Sequence, residues 1–115
     1  MTIAQFEIYH AFLEPHEGSE QGGSRPVLVV SRTSINRSMP VIAVLPITSC
    51  KPGRRVYSTE VLIPAGTAGL AVDSLVLAHQ VRTVSITRLQ KPYGILDSQV
   101  LQEKVRKALR VFLDL

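Results

Sequence analysis

EGSEQGGSRPVLVVS, residues 17–31, runs from a polar, glycine-rich loop through Arg25-Pro26 into an unbroken apolar stretch. That stretch is rich in β-branched residues, so PVLVVS (26–31) reads as a strand. It is apolar at odd and even positions alike, which requires cover on both faces. VIAVLPIT (41–48) has the same character. Such strands belong at the centre of a small closed barrel, or in a sheet that a second copy of the chain covers.

Outward from this pair, EIYHAFL (7–13) reads as a first strand ending at Pro15. YSTEVLIP (57–64) alternates, with Val61 and Ile63 opposed to Glu60 and Leu62. SLVLAHQVRTVSI (74–86) supplies one long bent strand or two short ones, and SITRLQ is the place for a helical turn. Clusters of Gly, Pro and Ser at 15–24, 52–53 and 64–69 mark turns. The C-terminal stretch changes period. Leu101, Val105, Ala108, Leu109 and Phe112 form one helix face, with Glu103, Lys104, Arg106, Lys107 and Arg110 opposite. Asp97 or Ser98 can cap its start. The fold expected is mainly β: one domain over 1–115, with five to seven short strands in a small barrel and one C-terminal helix.

Composition excludes several classes. The 115 residues suffice for one modest core, and 45% hydrophobic with 19% charged residues is an ordinary globular balance. No signal peptide is evident at the N-terminus, and no apolar run is long enough to span a membrane. The single Cys50 rules out an internal disulfide and suits a reducing cytosol. His10, His16 and His79 share no spacing that suggests a metal site. A net charge of +4 favours an acidic partner only weakly, but three cations crowd into KPGRR (51–55).

Arg25 is the first candidate for chemistry. Its guanidinium is permanently charged and its planar fork matches two phosphate oxygens. Pro26 biases Arg25 towards an extended conformation and stiffens its launch point. Gly22-Gly23 let the loop turn sharply and allow close approach. The plainer alternative pairs Arg25 with Glu20 or Glu17. Thr48 and Ser49 end an apolar strand just before Lys51, Arg54 and Arg55, where a hydroxyl can meet a phosphate and the cations can track a nucleic-acid backbone. Thr48 can equally satisfy a strand-end backbone group. In HQVRT, strand alternation would put Gln80 and Arg82 on one face and His79 on the other.

The order of these pieces resembles the MazF/PemK/Kid family of toxin–antitoxin ribonucleases. GSEQGGSRPVLVVS and LPITS are similar to its two motifs, and DSLVLAHQVRTVSITRL to a third block, so the likeness runs from about residue 7 into the C-terminal helix. The resemblance implies an SH3-like (MazF/CcdB-type) barrel that works as a homodimer in the cytoplasm. It implies cleavage of single-stranded RNA (mRNA) at short sequences, without metal or cofactor, through a 2′,3′-cyclic phosphate. A MazE-like antitoxin would inhibit the toxin and be its only link to promoter DNA. By the same likeness Arg25 and Thr48 are catalytic and the loop at Ser19, Glu20 and Gln21 closes on RNA. Gln80 and Arg82 contact RNA, as would Ser49, Lys51, Arg54 and Arg55. The family's usual assignment also gives Arg25 acid–base work, although a guanidinium holds its proton too firmly to be a good base.

The chain departs from the family pattern in places. Gln5-Phe6-Glu7 matches the usual start of the first strand only at Glu7, and His79 stands where relatives often carry an acid. His16 and His79 are expected to be structural or incidental, and Cys50 a small filler. Two other classes share the barrel: a CcdB-type gyrase poison that cuts nothing, and a cleavage-dead binding module. Arg25 with Thr48 distinguishes a nuclease from both.

Overall fold

The computed structural model describes residues 2–115. In chain order the elements are β1 (Glu7–Phe12), β2 (Ser24–Val29), α1 (Thr33–Asn36), β3 (Val41–Ser49), β4 (Glu60–Ile63), β5 (Ser74–Leu77), β6 (Arg82–Ser85), β7 (Leu89–Ile95) and α2 (Gln99–Leu113). Turns of 3₁₀ helix lie at Ala78–Gln80 and Ile86–Arg88. The mainly β expectation with a terminal helix is met. The stretch at 74–86 forms two short strands, because the 3₁₀ turn at 78–80 interrupts it.

All strand pairings are antiparallel, in the order β4-β5-β3-β2-β1-β7, with β6 also paired to β3. β3 is nine residues long. One of its edges holds β2 (Val44↔Val29 to Pro46↔Val27). The other holds β6 against residues 41–44 and then β5 against residues 47–49. Pro46, which has no backbone N–H to give, sits where one partner ends and the next begins. β6 and β7 stand at opposite ends of the order β6-β3-β2-β1-β7, yet only the second 3₁₀ turn separates them in sequence. The five strands therefore curl into a small barrel.

Two apolar clusters occupy opposite faces of the central strands. Tyr9, Ala11, Leu13, Val27, Val29, Ile42, Val44 and Val84 fill the barrel. Ile8, Leu28, Leu45, Ile47, Val61, Ile63 and Val76 form the second core, which Val105 and Ala108 of α2 cover. Alternate side chains of one strand feed different cores, so β2 and β3 are apolar on both faces with no second chain needed to cover them. That removes the sequence argument for a dimer based on these strands.

Ser98 caps α2, its Oγ accepting from the Leu101 N–H at 3.2 Å. Leu101 and Leu109 are half-buried, but Phe112, expected on the buried face, is 46% exposed. The last turn also leaves Val111 and Leu113 open. Between α2 and β4 lies a largely apolar groove of about 670 Å³, bordered by Val56, Leu62 and Val111 with Lys104 and Lys107.

Two elements had no clear sequence signal. β7 (LQKPYGI) contains Pro92 and Gly94, which discourage a strand assignment, but it pairs only with β1, and an edge strand tolerates proline. A Cβ at Gly94 would lie 2.7 Å from the Ala68 carbonyl oxygen, so the glycine admits a close backbone crossing. α1 is a single turn whose buried Asn36 donates to the carbonyls of Ile3 and Ser31, each at 3.0 Å. Glu7, the matching residue at the chain's start, accepts from the Ala4 N–H and the Tyr9 hydroxyl. Burial, reinforced by this carboxylate, pushes the Tyr9 phenol up to about 12.

Leu45 is fully buried where β3 meets the α2-covered core. Leu45→Ala is expected to cost about 3 kcal/mol, measured as a lower denaturant midpoint with an unchanged m value.

Candidate functional site

The β1–β2 loop is closed from below by its own residues. Leu13 N–H donates to the Gly23 carbonyl at 2.9 Å. The Glu14 carboxylate accepts from the Gly23 N–H and from the His16 ring, the latter at 2.7 Å. These contacts hold the Glu14 carboxyl below its usual range, with His16 the larger cause. A Cβ on Gly22 would fall 2.0 Å from His16 Nδ1. The close approach that Gly22 permits is therefore that of the Glu14–His16 pair. His16 is thereby tied to the base of the loop through Glu14.

Arg25 leaves β2 directly beneath this loop. Its Nε donates to the Gly22 carbonyl at 2.8 Å, and among the described residues no carboxylate forms an ion pair with it. The pairing with Glu17 or Glu20 is not formed, because the Glu20 carboxylate accepts the Glu17 N–H instead. Carrying the β2–β3 register two residues beyond Val27↔Pro46 sets Arg25 opposite Thr48. Cross-strand neighbours project from one face with Cβ atoms about 5 Å apart. Both residues are half-buried and lie on the barrel-facing side, at the end of the sheet.

Arg82 joins them from β6, paired with Val44 and so on the same face. Its guanidinium donates to the Leu13 carbonyl at 3.2 Å. The Gln80 side chain fastens the loop from above, accepting from the Gln21 N–H at 3.3 Å and donating to the Ser19 carbonyl at 3.1 Å. Ser19, Glu20, Gln21, His79, Gln80 and Arg82 together line a polar cleft of about 450 Å³. Strand alternation would have sent His79 to the opposite face. It lines the same cleft because residues 78–80 form a 3₁₀ turn. Its Nδ1 lies 3.3 Å from Thr59 Oγ1.

The basic turn does not line this cleft. Thr48 and Ser49 border a separate small hollow of about 230 Å³ with Pro26 and Tyr93. Lys51 and Arg55 are exposed beyond it. Arg54 is committed: its two terminal nitrogens meet both Glu60 oxygens at 2.8 Å. Glu60, which alternation set opposite Val61 and Ile63, is instead buried with them because this fork and the Tyr57 N–H satisfy its carboxylate. Arg54 holds the Glu60 carboxyl below its usual range, and Glu60 raises Arg54 in return. Cys50 is half-buried, its N–H bonded to the Asp73 carbonyl.

Arg82 and Glu20 are the charged side chains that line the cleft together with His79 and the Gln21 and Gln80 amides, and Arg25 lies beneath the covering loop with its Nε on the Gly22 carbonyl. The protein so defined is a small barrel with a polar, loop-covered cleft. Comparison with known proteins gives the family. Residues 4–113 match the model described as the PemK-like, MazF-like toxin of type II toxin–antitoxin systems, and the chain belongs to that family. Endoribonuclease EndoA of Bacillus subtilis (strain 168) is 37% identical over 115 residues, covering 100% of this chain and 97% of that protein. A crystal structure of MazF from Deinococcus radiodurans superposes with a TM-score of 0.83, with 28% identity over 100% of this chain and 99% of that one. A mycobacterial endoribonuclease solved in complex with its cognate antitoxin shares the fold, with a TM-score of 0.79, 20% identity, and 98% and 96% of the two chains covered. The gyrase-poison alternative finds no support among these matches.

The Arg54–Glu60 pair gives a prediction for stability. A lowered carboxyl pKa contributes stability that is complete above the ordinary value of 4.5 and is lost as pH falls through the lowered folded value. Glu60→Gln should therefore cost about 2 kcal/mol at neutral pH. The gap from the parent protein should close in acid, as read from denaturant melts across a pH series.

Proposed function

We propose that this chain is the toxin of a toxin–antitoxin pair and an endoribonuclease acting on single-stranded RNA, with Arg25 and Thr48 as its catalytic residues. What supports this reading is the β2–β3 register, which, carried two residues past Val27↔Pro46, sets them opposite one another near a loop that Gln80 fastens. The RNA supplies its own nucleophile: its 2′-hydroxyl attacks the adjacent phosphorus, the bond to the 5′-oxygen breaks, and the 5′-oxygen takes up a proton. The products are a 2′,3′-cyclic phosphate and a 5′-hydroxyl. Arg25 stabilises the negative charge that builds on the phosphoryl oxygens, and Thr48 donates a hydrogen bond beside it. No metal or cofactor has a part in this scheme.

Around that centre, Ser19, Glu20, Gln21, Gln80 and Arg82 would hold the RNA in the cleft, and Ser49, Lys51 and Arg55 would guide it past the end of β3. Arg54 supports the loop through Glu60 and contributes charge. A MazE-like antitoxin with an acidic segment would inhibit by occupying the same basic surface, and would be the route to any promoter DNA. The exposed apolar residues of α2, with the groove beside β4, support a homodimer. Among the described residues no helix is long and apolar enough to cross a membrane. A place in the cytoplasm, where mRNA is found, follows from the proposed substrate.

The test is cleavage of a long mixed-sequence single-stranded RNA in EDTA. Discrete fragments with cyclic-phosphate 3′ ends are expected, slowed about a hundred-fold or more by Arg25→Ala and by Thr48→Val. RNA left intact across enzyme concentrations, or cleavage unaffected by either substitution, would overturn the assignment.

A further inference from the structure

Beyond the cleft, the segment between β3 and β4 is built with unusual care for an exposed loop. Tyr57 is 52% exposed, and two guanidiniums lie over its ring, with Arg54 Cζ 5.6 Å and Arg55 Cζ 5.0 Å from the centroid. The backbone that carries the ring is held at both ends by one buried residue. The Tyr57 N–H donates to the Glu60 carboxylate at 3.1 Å, and the Glu60 N–H donates to the Tyr57 carbonyl at 2.9 Å. The same carboxylate grips Arg54 through both oxygens. An exposed aromatic ring is thus fixed in place at the expense of one buried carboxylate.

The two arginines differ. Arg54 is anchored and its charge is compensated by Glu60. Arg55 is exposed, and among the described residues no carboxylate forms an ion pair with it. It can therefore swing from the ring to a phosphate and open a ring face as it does so. The loop also adjoins the cleft. The Thr59 carbonyl accepts the Ala78 N–H at 2.9 Å, and the Thr59 hydroxyl lies 3.3 Å from His79 Nδ1, in the turn that lines the cleft.

From this arrangement we infer that Tyr57 is a stacking platform for a nucleobase of single-stranded RNA outside the cleft, with Arg55 holding the adjoining phosphate. A π-face accepts any base, so the platform adds affinity with little sequence preference. Glu60 and Arg54 are its positioning residues. The inference rests on RNA as the ligand of the cleft, but its test does not depend on cleavage.

The chain contains no tryptophan, so Tyr57→Trp installs a single fluorophore at the site. The probe is a mixed-sequence 2′-O-methyl RNA of about 16 nucleotides, which lacks the nucleophile and stays intact. Binding is expected to quench the tryptophan. Tyr57→Ala should weaken binding about ten-fold while Tyr57→Phe stays within about two-fold of the parent. Arg55→Gln should lower the slope of log affinity against log salt by about 0.7. RNA that binds without quenching, with Tyr57→Ala as tight as the parent, overturns the platform. Quenching by an acidic peptide but not by RNA also overturns it and assigns the ring to a protein ligand. If no RNA is cleaved in EDTA but the quench and the alanine effect persist, the platform stands and the nuclease assignment falls.

Discussion

The fold depends on β3 serving several neighbours at once. A nine-residue strand with β2 along one edge must divide its other edge, and it does so by taking β6 at its start and β5 at its end. The barrel curls one way and the β4–β5 extension continues the sheet the other way. Each face of the central strands then meets a separate core, one inside the barrel and one beneath α2. Substituting polar residues on either face would leave one of these cores incomplete. This is why two adjacent strands carry no polar side until they reach the site.

The site lies where that double burial ends. Val27 and Val44 still face the barrel, and beyond them the same face presents Arg25, Thr48 and Arg82. The strands thus carry three half-buried polar side chains on one face where the apolar cover ends. The covering loop is fastened by a carboxylate below and a carboxamide above. Charge is distributed with some economy. The acids that could neutralise the cleft bind backbone N–H groups or histidine, while the one buried acid neutralises Arg54 at a distance from it. Arg25 beneath the loop and Arg82 in the cleft each donate to a carbonyl oxygen, which orients a cation without cancelling it.

Much of this was legible in residue order. Strands of β-branched residues, the cap at Ser98 and the motif from Glu17 to Ser31 each rest on local chemistry. Errors arose where a local rule met a non-local partner. Glu60 alternates as if solvent-facing, but Arg54 makes its burial tolerable. His79 joins Gln80 and Arg82 because a 3₁₀ turn breaks the two-residue period. Phe112 completes a helical stripe on paper, although the buried part of the stripe ends at Leu109. β7 was hidden by Pro92 and Gly94, which an edge position and a close crossing at Ala68 accommodate.

The sequence by itself determined which segments extend, which one coils, and that Arg25 and Thr48 each end an apolar strand beside polar loops, since periodicity and side-chain type are local properties. It also carried the family likeness, because the motifs are contiguous. Only the tertiary structure decided the β2–β3 register that, carried on, sets Arg25 opposite Thr48, that Gln80 reaches the loop some sixty residues earlier in the chain, and that β2 and β3 are covered within one chain. Those outcomes depend on strand register and on how the sheet curls. Both are set by contacts between residues far apart in sequence, so no single stretch could have specified them.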